Sequence, residues 1–283
     1  NLFITNTSLK FKICFYCFME LVLILTMKNE LNVAINAAKE AGKIILTYYK
    51  SDYVIKEKGF GNPVTTADIA ADDYLKKTLT NYFPEYGWLS EETVDAMDRL
   101  SKSRIWIVDP IDGTKEFIHG TDEFVVSIGL VENGSPVLGV IYNPVKEEIF
   151  YSSKGEGSYL NDLQIFCNEY KSSKEMVLLI SASERKKSLW NRHSKKFKSL
   201  KTMGSVAYKI ALIAAGIGDT FVTLRPKNEW DICAADCIIN EARGKLVTLN
   251  GEKRIYNQKN TLIDDGLVAG CYKNINNTIN ELF

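Results

Sequence analysis

Residues 124–144, FVVSIGLVENGSPVLGVIYNP, constrain this chain more than any other stretch. Two apolar runs rich in Val and Ile meet across Asn133-Gly134, the dipeptide that a two-residue hairpin turn favours. A hairpin this apolar needs cover, and the flanking segments supply it. RIWIVD (104–109) reads as a short buried strand, and EIFYSSKGEGSYLND (148–162) continues the antiparallel pattern. Upstream, residues 30–50 repeat apolar side chains at Leu31, Ala34, Ile35, Ala38 and Ile45, the spacing of a helix with one buried face. Residues 54–83 read as a strand, a Gly-Pro turn and a second helix, with Thr65 or Thr66 as its N-cap.

Downstream, VLLISAS (177–183) reads as a strand. GSVAYKIALIAAGIGDTFVTL (204–224) and WDICAADCIINEARGKLVTL (230–249) each read as a helix followed by a strand. Strands and helices in this order predict sheets covered by helices, an α/β or α+β arrangement. The chain turns polar around 169–175, which divides it into an N-terminal half, 27–165, and a C-terminal half, 166–283.

With 35 basic and 35 acidic residues the formal charge is zero, which speaks against a nucleic-acid polymer as partner. Six cysteines are scattered, with no framework. Cys14 and Cys17 form a CxxC without a second pair or a nearby histidine, so zinc is disfavoured. Cys233 and Cys237, four apart, share one side of a helix. Isolated thiols fit a reducing compartment, hence a cytoplasmic protein. Residues 1–26 stand apart: Lys10 and Lys12 precede an apolar run, 13–26, broken only by Glu20. This extension reads as upstream read-through before a start at Met27, or as a signal or membrane anchor that makes the protein membrane-associated if retained. Monomer and homodimer both remain open.

Two aspartates close the buried strand, in RIWIVDPIDGTKEF (104–117). Pro110 is expected to stop the ladder and turn the chain sharply, so that Asp109 and Asp112 converge with the Ile111 carbonyl between them. Gly113 permits close backbone approach, and Thr114 can open the next helix. Hard oxygen donors beside exposed N–H groups suit a Mg²⁺-assisted phosphoryl site. Caps and turns would explain a lone pair of aspartates equally well. Glu91 and Glu92 in WLSEET, Asp231 in EWDICAAD and Asp68 in VTTAD add three further acidic element ends.

Together these residues resemble the inositol monophosphatase superfamily of Mg²⁺-dependent, lithium-sensitive phosphatases. DPIDGT (109–114) and WDICAAD (230–236) match its two signatures, and SEE (90–92) and VTTAD (64–68) two further blocks, from about Met27 to the C-terminus. The resemblance implies a layered αβαβα sandwich and two or three Mg²⁺ ions. Glu91, Asp109 and the Ile111 carbonyl would hold one ion; Asp109, Asp112 and Asp231 a second; Glu91 would share a third. Thr114 with Asp68 would orient or deprotonate the attacking water, making Asp68, Glu91 and Thr114 the catalytic set. Ile111, Asp112, Gly113, Thr114, Asp231, Gly204 and Ser205 would contact the substrate. His119 is read as a loop residue.

DGTKEFI (112–118), NEWDICAAD (228–236) and residues 254–270 are similar to the 3′(2′),5′-bisphosphate nucleotidase branch (the CysQ type), which implies adenosine 3′,5′-bisphosphate as substrate and AMP as product. A second phosphate wants a cation, which Lys115, Lys58 or Lys209 can supply. Leu224 stands where animal inositol monophosphatases carry an acidic residue for inositol hydroxyls. Arg225 and Lys227 fit neither pattern. An inositol-phosphate or broad sugar-phosphate phosphatase is the alternative, and a binding protein without activity a remote one.

Overall fold

The computed structural model describes residues 27–59 and 62–283, so the expectations for residues 1–26, Cys14 and Cys17 included, lie outside the described residues. Helix α1 covers residues 27–48 and buries Ala34, Ala37, Ala38, Ala41 and Ile45 along one face. Strands β1 (Ile55–Gly59) and β2 (Asn62–Thr65) pair antiparallel, with Pro63 inside β2 rather than in a turn. An isolated two-stranded ribbon has an outer edge at each strand, where the missing N–H of proline costs nothing. Helix α2 (Thr66–Tyr82) follows. Thr65 caps it, accepting from the N–H groups of Ala67 and Asp68, while Asp68 reaches back to the Thr65 N–H in a capping box.

The first sheet has seven strands in chain order: β3 (Gly87–Ser90), β4 (Arg104–Asp112), β5 (Val125–Glu132), β6 (Ser135–Asn143), β7 (Glu148–Ser153), β8 (Ser158–Leu160) and β9 (Leu163–Ile165). Only β3 and β4 run parallel. The expected hairpin is β5–β6, and Asn133 and Gly134 both take positive φ in its turn. Between β4 and β5 lies the short helix α3 (Thr114–Ile118).

The second sheet has the order β11 (Ser199–Met203), β10 (Val177–Ser181), β12 (Thr220–Thr223), β16 (Leu267–Gly270), β14 (Lys245–Thr248). The connecting helices are α4 (Ala182–Lys186), α5 (Val206–Ala214), α6 (Glu229–Glu241) and α7 (Tyr272–Leu282). A minimal ribbon, β13 (Lys227–Asn228) with β15 (Leu262–Ile263), leads into α6.

Side-chain alternation along β4 sorts the layers. Trp106 and Val108 join α1 and α2 in one core, whereas Ile105 and Ile107 join α5 and α6 in another. The latter core also takes Leu179 and Phe221 from the second sheet, whose opposite face meets α7 through Val222, Val268, Ile275 and Leu282. The result is five layers, αβαβα, as the resemblance implied. Helix α6 lies very close to the first sheet because two glycines face it. A Cβ at Gly129 would stand 2.5 Å from Cys233 Sγ, and one at Gly139 would stand 2.2 Å from the Ala234 carbonyl oxygen.

One expectation fails. Pro110 does not end its strand: β4 continues to Asp112, with a bulge between the Asp109–Ser127 and Asp112–Val125 pairs. The bulge leaves Pro110 and Ile111 outside the ladder, so no hydrogen bond is lost to the proline. Both aspartates thus stay paired with β5 on either side of the bulge, and the bulge rather than a strand end sets their relative position.

Candidate active site

Four elements converge on one end of the first sheet. Strand β3 hands off to Glu91, the β4 bulge carries Asp109 and Asp112, α6 brings Asp231 in its first turn, and α2 brings Asp68. Carboxylate oxygens of Glu91, Asp109 and Asp231 lie within 4.8 Å of one another. Asp109 is buried, and its Oδ1 accepts from the Ile111 N–H at 3.0 Å. Burial and the neighbouring charges of Glu91, Asp112 and Asp231 hold its carboxyl well above the usual range. Burial first, then Asp112 and Glu91, pushes Asp231 up to about 7. Asp231 also accepts from the Asn228 N–H at 2.8 Å, so it caps α6 and faces the cluster at once.

Negative charge packed this closely calls for a cation. An all-oxygen, carboxylate-rich donor set suits a hard divalent ion such as Mg²⁺. The fit to the resemblance is therefore good on chemistry alone.

Asp112 is anchored differently. Its Oδ2 accepts from Ser205 Oγ at 2.6 Å and from the Ala207 N–H at 2.5 Å, both at the start of α5. Thr114 Oγ donates to Asp68 Oδ1 at 3.0 Å and lies 3.2 Å from the Ile111 carbonyl. Asp68 Oδ2 is held by the N–H and hydroxyl of Thr65 at 2.7 and 2.6 Å, and burial raises its carboxyl despite these donors. Gly113 has φ +107°, and a Cβ there would meet the Glu123 carbonyl at 2.8 Å, so only glycine suits the position.

Glu91, Asp109, Ile111, Asp112, Gly113, Thr114 and Asp231 line a cavity of about 260 Å³ that also includes Lys115, Glu116, Ser181, Ser183, Gly204, Ser205, Lys209 and Lys227, with Asp68 behind Thr114 rather than in the wall. Of the three lysines proposed from the sequence, Lys115 and Lys209 line the cavity, neither in an ion pair among the described residues, but Lys209 spends its ammonium on backbone carbonyls. Lys58 is bound to Glu91 and Glu92, each at 2.8 Å, and is not part of the cavity wall. Lys209 is buried, its ammonium donating to the carbonyls of Met203, Gly204 and Ser205. Burial pulls it down to about 8 against the opposing pull of Asp112 and Glu116. Lys227, unplaced from the sequence, lines the cavity near Asp231. Only the β13–β15 pairing brings it there, and no motif announces it. Leu224 packs against the outer core of the second sheet and is not in the cavity wall.

The model of the inositol monophosphatase family matches residues 26–282. The chain belongs to the inositol monophosphatase family. Among its relatives, inositol monophosphatase 2 of Solanum lycopersicum is 35% identical over 80% of this chain and 90% of its own. The fructose-1,6-bisphosphatase/inositol-1-monophosphatase of Thermotoga maritima is 31% identical over 90% and 98%. The 3′(2′),5′-bisphosphate nucleotidase CysQ of Haemophilus influenzae is 30% identical over 84% and 91%. The solved IMPase of Thermotoga maritima superposes with a TM-score of 0.81 at 27% identity, covering 90% of this chain and 96% of that one. The suhB protein of Bartonella henselae superposes at 0.78, also at 27% identity, covering 89% and 97%. Family membership makes the chain a phosphatase acting on small phosphate esters. Relatives named for different esters are about equally similar to it, so the branch is not decided by similarity.

Proposed function

We propose that this family member is a Mg²⁺-dependent phosphomonoesterase that prefers esters carrying a second anionic group, adenosine 3′,5′-bisphosphate above all, and releases AMP. The observation that carries the substrate reading is that Lys115 and Lys227, with no ion pair among the described residues, stand in the wall of a cavity whose other charges are carboxylates and the Lys209 ammonium, itself taken up by three backbone carbonyls. Once cations balance the carboxylates, these two ammonium groups favour a ligand of more than one negative charge. The similarity of DGTKEFI to the nucleotidase branch points the same way.

In this reading Glu91, Asp109, Asp112, Asp231 and the Ile111 carbonyl would hold two or three Mg²⁺ ions. When bound, the ions supply Lewis acidity at the phosphoryl oxygens and lower the pKa of water. The chain's own groups do the rest. Thr114 Oγ, donating to Asp68, keeps its lone pairs for a water O–H and so orients the nucleophile. Asp68, raised by burial, is suited to take the proton through Thr114. The N–H groups at Gly113 and Thr114 hold the phosphate, whose bond to the 3′-oxygen breaks as the water oxygen bonds to phosphorus. Gly204 and Ser205 complete the cavity wall.

A second reading, an inositol-1-phosphate or sugar-phosphate phosphatase, draws on the 35% identity to the tomato inositol monophosphatase. Phosphate release from adenosine 3′,5′-bisphosphate and inositol 1-phosphate, measured side by side with Mg²⁺, separates the two. Much faster release from the nucleotide is expected. Preference for inositol 1-phosphate would replace the substrate assignment with the second reading.

A further inference from the structure

Lys209 has no donor left for a substrate. An ammonium carries three N–H groups, and the three acceptors here are the carbonyls of Met203 at 3.1 Å, Gly204 at 2.8 Å and Ser205 at 2.6 Å. The residue is 1% exposed, at the end of the first turn of α5. Three successive carbonyls pointing inward onto one cation define the shape of the turn that precedes α5.

That turn is not a relaxed one. Ser205 sits at φ +45°, a region that residues with a Cβ enter at a cost. Other groups grip the same turn: the Gly204 N–H donates to Glu123 Oε2 at 2.7 Å, and a Cβ on Gly204 would lie 2.1 Å from Glu116 Cγ. The strained conformation has one visible consequence. It presents Ser205 Oγ and the Ala207 N–H, 2.6 and 2.5 Å away, to the same oxygen of Asp112.

We propose that Lys209 is a positioning residue: by closing the 203–205 turn with three hydrogen bonds, it aims the two donors that fix the Asp112 carboxylate toward the ion-binding cluster. This rests on the reading of Asp112 as a metal ligand. It differs from a contact between Lys209 and the substrate's second phosphate. A contact would affect only substrates bearing that phosphate. A positioning role acts on ion binding and therefore on every substrate alike. Loss of an outer partner of a metal ligand commonly weakens metal affinity about 10- to 100-fold.

The test is Mn²⁺ binding to purified protein, counted as free Mn²⁺ by electron paramagnetic resonance, for wild type, Lys209→Met, Lys209→Gln and Ser205→Ala. Lys209→Met is expected to weaken Mn²⁺ binding about 10-fold or more. Lys209→Gln, which retains two donors, should recover part of that loss, and Ser205→Ala should reproduce it with Lys209 intact. In parallel, kcat/KM at fixed Mg²⁺ should fall by the same factor on adenosine 3′,5′-bisphosphate and on 3′-AMP. Unchanged Mn²⁺ affinity overturns the proposal, whether the defect is a raised KM confined to the bisphosphate or a lowered Tm alone. If Lys209→Met does not fold, the glutamine variant carries the comparison. Because the readout is ion binding, the outcome does not depend on which ester the enzyme prefers.

Discussion

Thr114 Oγ and Asp68 Oδ1 lie 3.0 Å apart, joining the first turn of α3 to the first turn of α2. Neither residue needs the other for its helix. Asp68 already serves the α2 cap through Oδ2, and α3 begins after Gly113 without a side-chain cap. The bond is thus free to act in proton transfer. Thr114→Val, which keeps the shape and removes the hydroxyl, is expected to lower kcat about 10²-fold or more, with KM and Tm little changed. Thr114→Ser should retain most activity. A valine variant with wild-type kcat would remove Thr114 from the mechanism.

Stability and the site meet at Gly139. The close seating of α6 on β6 leaves no room for a methyl group beside the Ala234 carbonyl. Gly139→Ala forces α6 away from the sheet, a backbone shift of the kind that costs about 1–3 kcal/mol. Asp231 rides on the same helix, so activity should fall together with Tm. Thermal unfolding and turnover of this one variant check both; a stable, fully active Gly139→Ala would mean the helix seating tolerates more slack than its contacts allow.

Crowded carboxylates set the pH response of the protein without added ions. Burial and mutual repulsion hold Asp109 well above the ordinary aspartate range and Asp231 at about 7; burial also lifts Glu92 to about 7 and Asp236 to about 6. In the unfolded chain such groups titrate near pH 4. Between those values the folded state binds more protons than the unfolded one, so stability falls as pH rises. Lys209, pulled down to about 8, acts in the opposite sense, but only above that pH. Chelator-treated protein should therefore lose Tm steadily from about pH 4 to pH 7, and millimolar Mg²⁺ should restore most of it at neutral pH. A Tm in chelator that climbs across this window would contradict the charge-crowding account.

The difference between what the sequence announces and what it hides follows from the range of the interactions. The hairpin, α1, α2, α5 and α6 are local patterns of apolar period and turn chemistry, and they are visible in one strand or helix at a time. So are Asp112 of DPIDGT and Asp231 of WDICAAD, the first closing β4 and the second in the first turn of α6. The β4 bulge at Pro110 is hidden because the ladder resumes on the partner strand β5, which no property of residues 104–114 reveals. Lysines are harder still. In sequence, Lys58, Lys115, Lys209 and Lys227 are equivalent solvated amines. Their fates depend on contacts made 33 residues away for Lys58 with Glu91, on the carbonyls of a strained turn for Lys209, and on a two-residue ribbon for Lys227.

In the proposed reading, substrate preference turns on Lys227. It lies at the start of the ribbon leading into α6, in the cavity wall, and its ammonium contacts only the Pro226 carbonyl, at 3.1 Å, among the described residues. A charge-assisted bond to a second phosphate would be worth about 1.5–3 kcal/mol, and the backbone carbonyl offers little in exchange. Lys227→Met should therefore raise KM for adenosine 3′,5′-bisphosphate about 10-fold, with kcat at saturation nearly unchanged and 3′-AMP hydrolysis within about threefold of wild type. Lys115→Met, on α3 beside Thr114, should affect both substrates, because the proposed phosphate-holding N–H groups of Gly113 and Thr114 would put the phosphate being removed nearest to it. Kinetics of the two variants on the two nucleotides give four numbers. If Lys227→Met lowers both substrates equally, its charge acts on Asp231 and the ion-binding cluster, and the second-anion role passes to Lys115.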